Sequence, residues 1–158
     1  MWRWLLLSGI VVVLDQLSKY VVVEKLANQP PVEVTSFFNL LLVYNRGAAF
    51  SFLAGAGGWQ REFFTGIALI ASAWIVWLLH RHPQQTLFSL ALALVLGGAI
   101  GNVIDRVTIG AVVDFLDFHA FGWHWPAFNV ADSAITCGAA LLVWDGIFGG
   151  SSPKVYNK

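Results

Sequence analysis

Four runs of apolar residues, about 4–23, 63–79, 87–104 and 130–148, leave this chain few ways to fold. Each approaches the roughly 20 residues that a helix needs to cross a bilayer. Between them they take up about half of the 158 residues. Charged residues make up 11% of the chain and hydrophobic ones 58%, whereas a soluble domain carries roughly 25% charged residues. The expectation is a mainly α membrane protein: a four-transmembrane-helix bundle forming a single integral domain over residues 1–158. Net charge is zero, so no broad basic surface suggests nucleic acid. Arg3 followed by an apolar run has the look of a signal peptide, but Asp15 and Lys19 interrupt it and no small-x-small site precedes Glu24. The first run is therefore expected to be a retained helix. The lone Cys137 excludes an intrachain disulfide and is expected to be a small buried residue.

Charge distribution gives the orientation. Arg3, Arg81, Lys154 and Lys158 gather on one side with only Asp145 near them. The other side takes the loops at about 24–62 and 105–129, with Glu24, Glu33, Glu62, Asp105, Asp114, Asp117 and Asp132 against Lys25, Arg46, Arg61 and Arg106. By the positive-inside rule both termini are cytoplasmic and the two long loops face out. The first outer loop, after Pro30 and Pro31, carries VEVTSFFNLLLVY at 32–44, which reads as strands, and Asn45-Arg46-Gly47 as a turn. A small extracytoplasmic β-cradle on the membrane surface is expected, with Trp and Phe at headgroup level. The tail from Gly149 reads as disordered, and no internal repeat is visible.

Polar residues from separate segments converge at the outer end. Asp15 lies about twelve residues into the first helix, with Lys19 one turn further out. Asn102, Asp105 and Arg106 end the third helix, Asn129 and Asp132 begin the fourth, and Asp114 lies between. An ionisable group within a membrane costs at least about 2.5–3.5 kcal/mol, so it usually faces the protein interior and marks a functional path. Local readings compete. Asp15 and Lys19 sit at pairing distance along a helix. Asn45 suits a turn, Asn102, Asp105 and Arg106 an interfacial ion-pair cluster, and Asn129 a helix cap with Asp132 as a dipole-favoured acid. Asp114 has no such local explanation. Asp117 reads as a solvated loop acid on the opposite face of a strand. The Gly97-x-x-x-Gly101 spacing suits close contact between helices.

Two aspartates held close share a proton and titrate as a unit. One then takes a proton from water while the other polarises a carbonyl, as in aspartic proteases. Asp132, at a helix start, is expected to lean toward the ionised role. No metal is required. His119 and His124 suit an interfacial loop without one, and His80 and His82 fall on the wrong side. No cofactor is expected.

Five blocks, in order, resemble the lipoprotein signal peptidase (signal peptidase II) family over nearly the whole chain: Asp15-Gln16-Leu17-Ser18-Lys19, the run NRGAAFS from Asn45, the run GGAIGNVIDR ending in Arg106, Val112-Val113-Asp114-Phe115, and the run FNVADSA around Asp132. The resemblance implies four transmembrane helices, a surface β-cradle and a metal-free aspartic dyad, Asp114 and Asp132. Asp15, Asn45, Asn102, Arg106 and Asn129 would line the pocket, binding substrate or supporting the dyad, and Asp105 would not be catalytic. The implied substrate is a diacylglyceryl-modified prolipoprotein, cut just before its lipidated cysteine. The implied setting is the bacterial cytoplasmic (inner) membrane, with membrane lipids and substrate as partners and the protein a monomer. The apolar loop after Asn45 would cover the site. Two other readings stand beside this one: a small proton-coupled transporter using the acids as a relay, and a non-catalytic lipoprotein-binding factor.

Overall fold

The computed structural model describes residues 1–47 and 59–148. The loop expected to cover the site, and the tail, lie outside the described residues. Among the described residues, four helices are long and apolar enough to cross a membrane: α1 (Trp2–Leu26), α2 (Gln60–Arg81), α3 (Thr86–Thr108) and α4 (Val130–Phe148). Between them run four strands, β1 (Val32–Thr35), β2 (Phe38–Asn45), β3 (Val112–Ala120) and β4 (Trp123–His124), forming one antiparallel sheet in that order.

Three helices run past their apolar cores. Glu24 and Lys25 extend α1, Gln60 to Glu62 begin α2, and Asp105 and Arg106 lie in the last turns of α3 rather than in the loop. The backbone hydrogen-bond ladder does not stop where hydrophobicity does. Polar residues continue a helix at little cost once its end reaches water or finds protein partners.

The central helix is α3, which packs against α1, α2 and α4. Glycine allows the close approach. A Cβ on Gly97 would meet Val11 Cβ at 2.6 Å, one on Gly101 would meet Asp15 Oδ2 at 2.6 Å, and one on Gly138 would meet Ala91 O at 2.7 Å. The Gly97-x-x-x-Gly101 face therefore receives α1, as its spacing suggests. Trp4, Ile75, Leu79, Leu92, Ala93 and Leu96 form a core near the short α2–α3 turn. There Arg3 and Trp4 donate to Pro83 O. A second core, Val22, Leu26, Val113 and Phe115, joins the far end of α1 to the sheet. Elsewhere the outward faces of the helices carry exposed Leu6, Ile70, Trp74 and Ile147, a surface suited to lipid.

Two sequence expectations are overturned. Asp117 is not solvated: it is 3% exposed. It accepts hydrogen bonds from Asn39 Nδ2 at 2.9 Å and lies 2.9 Å from His124 Nδ1. Its opposite number across β2–β3 is Asn39, and β4 folds back to bring His124 over it. Burial raises the carboxyl's pKa, but His124 and Asn39 outweigh it and hold the group below the usual carboxylate range. Cys137 is not buried but exposed. The tight packing of α4 runs through Ala131, Ala134 and Gly138, and Cys137 lies off that stripe.

Candidate active site

The register of β2 against β3 carries one irregularity, and it falls beside Asp114. Leu40 pairs with Leu116, yet Val43 pairs with Asp114, so β2 holds one extra residue there. A bulge of this kind bends a strand and re-aims its side chains. The shift sets Asn45 opposite Val112, and Asn45 Nδ2 donates to Asp114 Oδ2 at 3.1 Å. Asn45 also serves its turn, its Oδ1 accepting from Gly47 N at 3.0 Å.

Asn129 works in both directions as well. Its Oδ1 accepts from Asp132 N at 2.9 Å, the bond of a helix N-cap. Its Nδ2 lies 2.7 Å from Asp114 Oδ1, 3.1 Å from Val113 O and 3.3 Å from Asn102 Oδ1. Asn102 Nδ2 donates to Asp132 Oδ1 at 2.8 Å. The two aspartates are thus tied into one network through Asn102 and Asn129, and both line a cavity of about 460 Å³. Its polar wall is Asn45, Asn102, Arg106, Asp114 and Asp132; Trp125, Pro126, Phe128 and Ile135 are among its apolar side.

Arg106 forms no ion-pair cluster with Asp105. Its guanidinium donates to Asn102 O and Gly47 O, each at 3.3 Å, which ties α3 to Gly47 just after β2. Asp105 faces α1 instead, paired with Lys19 at 2.8 Å, and accepts from Gln16 Nε2 at 2.9 Å and Val113 N at 3.0 Å. Asp15 and Asn129, both fully buried, are not among the residues that line the cavity, contrary to the expectation for them. Asp15 lies behind the start of α4. It pairs with Lys19 at 2.8 Å and accepts from Ala131 N at 2.9 Å, so it fixes the first turn of α4. The contacts linking Lys19 and Gln16 to α3 cross from one helix to another, and only the placement of polar residues inside an apolar run hinted at them. His119 and His124 stack on each other with centroids 4.9 Å apart.

Burial first, then the charge of Asp132, push the Asp114 carboxyl up to about 7, against bonds from Asn45 and Asn129 and the charge of Lys19. An unfolded carboxylate titrates near 4. Between those values the folded protein holds a proton that the unfolded chain has lost. The contribution is fully present below about pH 4 and is lost as pH rises through about 7. Thermal unfolding in detergent is expected to show wild-type stability falling across this window. Asp114→Asn removes that part of the slope.

The family model described as Signal peptidase (SPase) II matches residues 7–148. The lipoprotein signal peptidase of Cupriavidus necator is 61% identical over 142 residues, covering 90% of this chain and 81% of the relative. That of Paraburkholderia phytofirmans is 62% identical, covering 90% and 83%. A solved bacterial membrane enzyme superposes with a TM-score of 0.82 at 33% identity, covering 100% of this chain and 94% of that one.

Proposed function

Because this chain belongs to the signal peptidase II family, we propose that Asp114 and Asp132 are the catalytic dyad of its activity, the aspartic cleavage of prolipoprotein signal peptides. The observation that carries this assignment is the shared amide network, in which Asn102 and Asn129 hold both carboxylates on one cavity wall. Water enters between the carboxylates. Asp132, in the first turn of α4 and accepting from Asn102, is the ionised partner. It takes a proton as the water oxygen bonds the scissile carbonyl carbon. Asp114 holds the shared proton and gives it to the carbonyl oxygen. As the tetrahedral intermediate collapses, the C–N bond breaks. The leaving amine takes the proton from Asp132, and Asp114 recovers its own from the intermediate's hydroxyl. Asn45 and Asn129 hold Asp114, Asn102 holds Asp132, and Asp15 anchors the α4 backbone; Arg106 holds Gly47 just after β2 and lines the cavity that would take the substrate.

The substrate is read as a diacylglyceryl-modified prolipoprotein cut before its lipidated cysteine. The acyl chains of such a cysteine stay in the bilayer, which keeps the scissile bond near the interface. A cavity between the sheet and the start of α4, with one apolar side, meets it at that depth. The test is cleavage of such a precursor by purified protein in detergent, with and without chelator. Cleavage before the lipidated cysteine, indifferent to chelator, supports the reading. A folded wild type that leaves the precursor intact, but carries protons across liposomes, returns the transporter.

The protein is further read as a monomeric single domain of the bacterial cytoplasmic membrane, termini inside and dyad toward the outer leaflet. In a Cys137→Ser background, a thiol placed at Phe121 in the β3–β4 hairpin is expected to react with an impermeant maleimide on spheroplasts. One at Gln84 in the α2–α3 turn is expected to react only after lysis. The reverse pattern would invert the topology.

A further inference from the structure

Resting on the dyad reading above, we propose that Lys19 is a positioning residue for hydrolysis: through Asn102 it sets the direction in which Asp132 is hydrogen-bonded. Lys19 is 3% exposed and is not among the residues that line the cavity. Its ammonium has three donors and no acceptor. They find Asp15 Oδ2 at 2.8 Å, Asp105 Oδ2 at 2.8 Å and Asn102 Oδ1 at 3.1 Å. A group that only donates compels Asn102 to turn its oxygen toward α1. The Asn102 amide nitrogen then faces Asp132 Oδ1, at 2.8 Å.

Nothing else on the described residues fixes that amide as firmly. The other donor near Asn102 Oδ1 is Asn129 Nδ2 at 3.3 Å, and its two hydrogens have nearer acceptors in Asp114 Oδ1 at 2.7 Å and Val113 O at 3.1 Å. Without Lys19, Asn102 is free to turn over and present oxygen to Asp132. Oxygen against a carboxylate is tolerated only when the carboxylate is protonated, which removes the base from the mechanism. The charged groups facing this region are Asp15 and Lys19 on α1, Asp105 and Arg106 on α3, Asp114 on β3 and Asp132 on α4.

A structural role and a positioning role both predict harm from Lys19→Met, since it strands Asp15 and Asp105 without a cation. The pair Lys19→Met with Asp105→Asn separates them, because it removes one charge of each sign. The measurements are the unfolding temperature, kcat, KM and the pH–rate profile, all in one detergent with a diacylglyceryl-modified precursor. The double variant is expected to recover the part of the unfolding temperature that Lys19→Met loses at Asp105, while Asp15 still lacks its cation. Its kcat is expected to stay at least about tenfold below wild type, with KM within about twofold, as loss of an interaction made in the transition state requires. Wild-type kcat in a double variant of wild-type stability overturns the proposal. If the double variant stays unstable, the pH–rate profile of the residual activity of Lys19→Met decides. An unfolded fraction scales its height without moving its midpoint, so an unmoved midpoint overturns the proposal. Because the Lys19 charge also acts directly on both acids, Lys19→Met is repeated in an Asn102→Ala background: a midpoint shift as large as in the Asn102 protein overturns the route through Asn102, and a shift confined to the Asn102 protein supports it. Asp114→Asn and Asp132→Asn are measured alongside: full activity in either sinks the dyad assignment itself, whatever Lys19 does.

Discussion

Asp132→Asn is expected to fold, bind precursor and cleave it on the order of 10⁴-fold more slowly than wild type, the scale seen when one member of a catalytic unit is removed. The asparagine keeps the shape, and its oxygen still accepts from Asn102 Nδ2, the bond made at 2.8 Å in the wild type. The cap from Asn129 to the backbone at residue 132 involves no side-chain atom of Asp132, so α4 starts as before. What disappears is the one group able to take a proton from water. Asp114→Asn is expected to be equally inactive for the complementary reason, since an amide cannot hand a proton to the carbonyl oxygen and recover it. The two changes together are expected to cost little more than either alone, because residues that act as a unit are not additive. A single variant retaining more than about a tenth of wild-type kcat would remove that residue from the dyad.

The same assignment sets the pH dependence. Asp114 is pushed up to about 7, chiefly by burial and then by the charge of Asp132. The competent form holds one proton between the two acids, so kcat is expected to fall as pH rises beyond about 7 and the Asp114 proton leaves. A profile flat from pH 6 to 9 under conditions where chemistry limits the rate would contradict the protonated role of Asp114.

How much of this was legible in the chain depends on where each signal resides. The spans and the isolated acids within them could be read because lipid tolerates few charges, so each exception stands out locally. The strands within 32–44 could be read from their richness in β-forming residues. From local spacing Asn45 and Asn129 were visible only as turn and cap; their link to the dyad came from the family resemblance, since local spacing says nothing of the other end of the amide. The burial of Asp117 depends on Asn39, 78 positions earlier, and on the fold-back of β4, which no local pattern encodes. The exposure of Cys137 was misread because in water an apolar run implies an interior. Here small residues mark the packed side of α4, and Cys137 lies off that stripe, among the residues that line the cavity. Lys19 was visible as a partner for Asp15, four residues away. Its reach across to Asp105 and Asn102 on α3 was not.

Gly98→Ala tests how far the dyad depends on the spacing of α3 and α4. A Cβ on Gly98 would overlap the carbonyl oxygen of Ala131 and lie 2.7 Å from Ile135 Cγ1. The first obstacle is backbone, so no rotamer change relieves it and the helices must separate. Overpacking of this kind costs roughly 1–3 kcal/mol, and a backbone obstacle places the cost near the upper end. Ala131 adjoins Asp132 and its N–H is held by Asp15, so the displacement falls on the turn that presents the dyad. A shift of about 1 Å in a catalytic group costs on the order of 10²-fold in rate, and kcat is expected to fall by that factor with KM little changed. Gly66→Ala is the control, because a Cβ there meets nothing within 4 Å. It gains helix propensity, about 0.5–1 kcal/mol for Ala over Gly, and is expected to leave kcat unchanged. If Gly98→Ala matched Gly66→Ala in unfolding temperature and turnover, the α3–α4 contact would not set the geometry of the site.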